Sequence, residues 1–493
     1  MPVGITLAVL VVAILLGIYF TSSPKACDLT SVLHRDFDHY YGLTKLDNPL
    51  SNVNAEKGAT ISSQCRLFYD HMRLLPVNDF SSSKSMIIQG LRGSGKSQIR
   101  QCIINRVHQN NHRIIINMYG LDIQNYLDNF VNNIDIVPEL PHEKIIKYWT
   151  KEHFLQVILT EISSRFTTEE YLLVLQAKRD IIPLQTRIEV ANLLTFYSTE
   201  NSHALCKMVN LLLHELTECL ILDCSIPCFQ IQDSNAGAQM FITLSDRHRK
   251  VKVKRHSPAS DACLRFLTAI DKKTGSSPIP WLDRTYRDQV ASLINFLSAL
   301  GISTTVIVDS LDEIKYFFDK ADSHLQTLQA FVNSATNDEI LHLALGNWGN
   351  KAEMINSFAF YIFIPRIPNK TITIPWTRQD KIPVIDLKWN ELHLINYADY
   401  MFDYLRSKSH DQCKRLPDIC SLLGGRDLCV DTMKQLRHPR DFHIFYNVLT
   451  RHMGTVCTQR NPPFNATEED LKTVLAETQQ RVLKEETISN HMD

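Results

Sequence analysis

No two of the 12 cysteines stand as a C-x-x-C pair, so ribbon- and finger-type zinc sites are excluded. The tightest Cys/His group, His214, Cys219, Cys224 and Cys228, is irregularly spaced and reads as buried thiols rather than a metal site. The scatter of the remaining cysteines fits a reducing compartment better than a disulfide-stapled domain. Neither sign of charge dominates: 52 Lys and Arg face 53 Asp and Glu. That balance argues against a globally basic nucleic-acid binder and leaves only a local patch for such a role. Internal repeats, heptad arrays and low-complexity stretches are missing too, which excludes solenoids and long coiled coils.

What is there is a chain of 493 residues, 44% hydrophobic and 21% charged, enough for two to four globular domains. It opens with an uncharged segment, Val3–Phe20. As a helix this segment spans about 27 Å, close to the roughly 30 Å hydrocarbon core of a bilayer. No basic n-region precedes it, so a single-pass anchor is expected over a cleavable signal peptide. Lys25 and Arg35 follow and no Lys or Arg precedes, which puts the body on the cytoplasmic side. The sequons at Asn369 and Asn465 would matter only on the lumenal side.

The stretch "GLRGSGKS", Gly90 to Ser97, matches G-x-x-x-x-G-K-[ST] at every fixed position. An apolar run of strand length, "SMIIQ", precedes it. After it, Ile99, Cys102, Ile103 and Val107 recur at helical spacing. Strand, glycine turn and helix is the arrangement that holds phosphate. Gly90, Gly93 and Gly95 allow close approach and unusual backbone angles. The amides from Gly93 to Ser97 and the helix dipole then face the β-phosphate. Lys96 reaches the β- and γ-phosphates, and the Ser97 hydroxyl ligates Mg²⁺. Arg92, Ser94 and Gln98 complete the expected nucleotide contacts.

A phosphate cradle needs a carboxylate for the metal and another to orient water. "ISTTVIVDSLDEIKYF", Ile302 to Phe317, offers both. Thr304 to Val308 reads as a buried central strand with Asp309 at its C-terminal end, where open α/β sheets bind ligands. Asp309 is assigned to Mg²⁺. Asp312 or Glu313, one helical turn later, is assigned to the attacking water; a plain acidic helix start is the alternative.

Roughly two hundred residues separate the two motifs, far more than a compact nucleotide domain needs. "HRIIINMYG", His112 to Gly120, reads as a second strand. Glu143 to Phe166 reads as an amphipathic helix pair, and further helical periods follow. Within this insertion "DRHRKVKVKRH" carries six Lys and Arg over residues 247–255. It fits either an anionic contact, to acidic lipid or nucleic acid, or a solvated basic edge strand. Leu392 to Lys408 and Asp431 to Met453 read as helices, and Thr467 as the N-cap of a last one.

With these residues the chain resembles an additional-strand P-loop NTPase of the AAA+/STAND group. "VIVDSLDE" is similar to the extended acidic motif of NACHT-type ATPases. The text around it resembles bacterial AAA-like or origin-recognition-like P-loop ATPases. That likeness rests on Asn48, Pro49, Ala55 and Glu56 ahead of the cradle, on Arg378 to Pro383, on Trp389 to Leu392, and on Pro439 to Asp441. The resemblance implies ATP and Mg²⁺ as cofactors, ATP hydrolysis, and a helical lid after an α/β core with a central parallel sheet. It also implies a polar residue on the strand after the acidic motif that senses γ-phosphate, for which Asn347 is the candidate. A lid arginine on phosphate is implied too: Arg440 first, Arg378 second. His438 stands where the family has glycine.

The expected organisation is an anchor at 1–24, the NTPase domain in two parts at 25–135 and 286–390, and a helical insertion at 136–285. A lid at 391–460 and a C-terminal helix and tail at 461–493 complete it. The function expected is a membrane-anchored, Mg²⁺-dependent ATP hydrolase. The alternatives are a nucleotide-binding switch or scaffold with little turnover, and a nucleic-acid-dependent ATPase. ATP is expected over GTP because nothing resembles the N-K-x-D guanine reader. A protein partner or an oligomer is left open.

Overall fold

The computed structural model describes Leu50, Tyr69, Asp70, Met72 and residues 85–108, 113–132, 134–135, 146–198, 202–213, 244–246, 249–253, 284–318, 322–346, 358–367, 370–408, 416–456 and 465–489. The Val3–Phe20 segment and the His214–Cys228 group lie outside these residues. Among the described residues no helix is long and apolar enough to cross a membrane.

Along the chain, β1 (Met86–Gly90) is followed by α1 (Lys96–His108), β2 (Arg113–Met118), α2 (Gly120–Asn132) and the short β3 (Ile134–Asp135). Next come α3 (Lys151–Phe166), α4 (Glu169–Lys178), α5 (Leu184–Tyr197) and α6 (Ser202–Leu212), then β4 (Leu244–Asp246) and β5 (Arg249–Val253). After them, α7 (Tyr286–Ala299) leads into β6 (Ser303–Val308), α8 (Lys315–Phe318), α9 (Asp322–Ala335), α10 (Asp338–Leu343), β7 (Phe358–Pro365) and β8 (Val384–Leu387). The last helices are α11 (Glu391–Lys408), α12 (Ile419–Leu422), α13 (Arg426–Lys434), α14 (Pro439–Val456) and α15 (Glu468–Ser489).

Five strands form one all-parallel sheet in the order β2-β6-β7-β1-β8. Parallel neighbours need crossovers, and helices on both faces provide them. The central strands are accordingly enclosed: every residue of β6 and of β7 is buried, the polar Ser303, Thr304 and Thr305 included. Successive side chains alternate between the faces. Ile87, Phe360 and Ile362 enter the larger core, while Ile88, Tyr361 and Phe363 join Ile99, Cys102 and Ile103 of α1 on the other side.

The larger core takes in α2, α3, α5, α7 and α9. The helices after β3 therefore share a core with the sheet instead of forming a bundle of their own. Glu143–Ile145, the start of the expected helix pair, lie outside the described residues; Lys151–Phe166 is one helix starting after Thr150, whose amide donates to His153 Nδ1 at 3.0 Å. It is buried on nearly all sides, including His153, Gln156 and Ser163, because the sheet and neighbouring helices enclose it.

A third core joins α11 to α15 with Leu50. Here Asp431 to Met453 is broken: α13 ends at Lys434 and α14 starts at Pro439. A proline fits the first helical position and disfavours helix in the residue before it. Thr467 caps α15 as expected, exchanging hydrogen bonds with Asp470. The expectation of thiols is corrected in this region, since Cys420 and Cys429 form a disulfide with Cα atoms 5.0 Å apart. Cys102 is disulfide-bonded as well. The basic run contributes β5, which pairs antiparallel with β3 and β4.

Candidate functional site

The glycine-rich turn connects β1 to α1, and its conformation depends on glycine at two points. Gly93 has φ +85° and Gly95 has φ +98°, both in the left-handed region. A Cβ on Gly95 would meet nothing within 4 Å, so the space ahead of α1 is open. The first turn of α1 holds no acidic residue, which leaves its positive dipole end unopposed. Lys96 is buried, and its Nζ donates to Gly90 O at 2.9 Å and Leu91 O at 3.0 Å. The Ser94 hydroxyl is buried without a hydrogen-bond partner. Ser97 and Gln98 are half-buried and Arg92 is exposed. A cleft beside the turn is lined by Asp70, Gly95, Gln98, Trp389, Tyr397 and Pro439, among others.

Asp309 follows β6, two strands away from β1 in the same sheet with β7 between them. Its amide donates to Met118 O at 3.1 Å, which extends the β2–β6 ladder by one step. The side chain is 1% exposed, and neither carboxylate oxygen accepts a hydrogen bond of normal geometry. Burial raises its pKa above the ordinary carboxylate value; the Arg100 charge, the Ser310 backbone and Lys96 oppose that rise, and Asp312 adds to it. Arg100 Nε lies 3.4 Å from Asp309 Oδ2, both side chains being buried. The guanidinium also rests over the Tyr119 ring, 4.5 Å from its centroid.

After Asp309 the chain turns sharply. Ser310 has φ 60°, left-handed for a residue with a side chain. The turn packs against Gly120, where a Cβ would lie 2.8 Å from Ser310 O. The acids thus sit on a 3₁₀ turn, Leu311–Glu313, rather than a full α-helical turn. Asp312 is half-buried and its charge reaches Asp309; Glu313 is exposed.

The C-terminal helices touch the turn directly. Trp389 Nε1 donates to Ser94 O at 2.9 Å, and Arg440 N donates to Gly93 O at 3.4 Å. A Cβ on Gly93 would lie 2.7 Å from both Arg440 Cβ and His438 Cε1. His438 is buried, which lowers its pKa to about 4, with Asp441 raising it and Arg437, Arg440 and Lys96 lowering it further. Its 3.4 Å approach to Asp441 is therefore that of a neutral ring.

Arg440 is thus beside the turn, whereas Arg378 is exposed and pairs with Asp380 at 3.3 Å. Asn347 lies outside the described residues, and the strand after the acidic motif begins only at Phe358. Sequence reasoning passed over Arg100. The signal was a cation four positions after Lys96, next to the buried Ile99.

The donors that would take a metal are all oxygens, the Ser97 hydroxyl and the Asp309 carboxylate, and suit a hard cation such as Mg²⁺. The Asp309 oxygens, which accept no hydrogen bond of normal geometry, fit that role. Among the described residues no group of three or more His, Cys, Asp or Glu could hold a metal ion. Compared with protein-family models, with curated proteins and with solved structures, the chain matches none.

Proposed function

We propose that the protein is a P-loop nucleoside triphosphatase of the additional-strand class that binds ATP and couples its occupancy to the C-terminal helical lid. One observation carries the reading. The glycine turn and Asp309 lie at the C-terminal ends of strands in a single parallel sheet, with one strand between them. In open α/β sheets this edge is where ligands bind.

The amides from Gly93 to Ser97 and the start of α1 would hold the β-phosphate. Lys96 would exchange its two carbonyl partners for phosphate oxygens. Ser97 and Asp309 would hold magnesium, which supplies charge neutralisation at the phosphates when bound. Asp312 is better placed than the exposed Glu313 to orient a water. Arg440 and Trp389, joined to the turn, would carry its state into the lid.

A calorimetric titration of ATP and a steady-state phosphate-release assay test this. ATP binding is expected to vanish in Lys96→Ala, and turnover in Asp309→Asn. Undiminished affinity in Lys96→Ala would falsify the assignment.

The direct contacts between lid and turn favour a second reading, a switch that binds nucleotide and hydrolyses it slowly. Tight binding without phosphate release would select it.

A further inference from the structure

The buried cation beside Asp309 is not needed to hold phosphate, and the nucleotide reading leaves it unexplained. Arg100 is 3% exposed and sits one helical turn beyond Lys96, so both project from the same side of α1. Its position is fixed from two directions. Asp309 Oδ2 lies 3.4 Å from Nε, and the Tyr119 ring lies under the guanidinium. Tyr119 is itself held, because its amide donates to Asp122 Oδ2 at 3.1 Å.

A carboxylate that faces a metal normally offers its full charge to it. Here that charge is already opposed by an arginine, which stays protonated in proteins. A divalent cation arriving at Asp309 would meet a guanidinium at close range, in surroundings that screen charge poorly. The attraction Asp309 can offer magnesium is reduced accordingly. Lys96 remains available to the triphosphate, since its partners are neutral carbonyls.

We infer that Arg100 is a built-in counter-charge for Asp309, so that this site holds a nucleoside triphosphate with little dependence on magnesium. Binding and turnover then have different metal requirements: the nucleotide is retained without the ion, and magnesium matters at the hydrolytic step. Arg100 is a positioning residue in this account, acting through Asp309. The inference rests on the nucleotide reading above.

The test measures the ATP dissociation constant of the full-length protein by calorimetry, in excess EDTA and in millimolar magnesium chloride. The ratio of the two constants is expected to stay below about 3 in the wild type. In Arg100→Gln it is expected to rise at least about threefold above the wild-type ratio, and Arg100→Lys is expected to restore the low value. A wild-type ratio of about 3 or more overturns the proposal, and this arm needs no variant to fold. An Arg100→Gln ratio equal to the wild type also overturns it, because a merely structural arginine would leave the metal dependence unchanged. Absence of ATP binding in both conditions would instead remove the nucleotide reading on which the proposal stands.

Discussion

His438 and His153 are both buried imidazoles kept neutral by their surroundings, with pKa values lowered from 6.5 to about 4 and about 3. The unfolded chain takes up protons at these rings below pH 6.5, and the folded protein does not. Their contribution to stability is therefore complete above pH 6.5 and is lost as the pH falls towards the folded values. For His438 the full effect is about 3 kcal/mol. His438→Gln is expected to flatten the fall in unfolding free energy between pH 6.5 and 4, read by urea denaturation at a series of pH values. The two left-handed glycines should separate in the same assay. Gly93→Ala combines backbone strain with a clash against His438 and Arg440, and is expected to cost roughly 2–4 kcal/mol. Gly95→Ala enters open space and should cost only about 1 kcal/mol, with its damage appearing in nucleotide affinity. At this scale the sequence was informative wherever a residue type has one job. Gly93, Gly95 and Lys96 stood out by spacing. Arg100 did not, because a basic residue on a helix is usually solvated, and only the fold shows which face it joins.

Among the elements, the turn–lid junction and the α12–α13 pair make separate predictions. Trp389→Phe removes the donor to Ser94 O and is expected to cost about 1 kcal/mol. Its clearer sign is kinetic: hydrogen exchange in the first turn of α14 should no longer slow when ATP is added. The Cys420–Cys429 bridge closes a short loop, and its reduction is expected to lower the stability of the C-terminal helices by roughly 2–3 kcal/mol. A thermal melt with and without dithiothreitol reads this, and an unchanged transition would count against a structural role. Such a bridge is unusual in the reducing compartment that the scatter of cysteines suggested. Element types were legible where the period was clear, as in β1, α1, β6 and the capped α15. The strand after the acidic motif was expected around Asn347 and starts instead at Phe358, and β8 was not anticipated. The run "FAFYIFIP" is apolar without alternation, because both of its faces are covered, and so it carries no amphipathic signature. The same cause hid the true character of α3.

For the whole molecule, the chain builds three cores: one on each face of the sheet and one among α11 to α15. ATP at a hundred times its dissociation constant is expected to stabilise the fold by about 2.7 kcal/mol, and sheet and lid should melt together in its presence. A lid transition that stays separate and unshifted would argue that nucleotide does not couple the cores. Chain order foretold the α/β class and the long interruption between Ser97 and Asp309. It did not foretell that the interrupting helices α3, α5 and α6 would become part of the sheet's own core. The position of β7 has one more consequence. Because it separates β1 from β6, the backbones of these two strands stand two inter-strand spacings apart, about 9–10 Å. Main-chain ladders set that interval, so no rotamer change and no single side-chain replacement can shorten it. The sheet acts as a ruler for the backbone alone, and side chains cover the rest: Arg100 already crosses from α1 to Asp309, and in the proposed reading a cation shared by Ser97 and Asp309 would tie the two ends of the interval together.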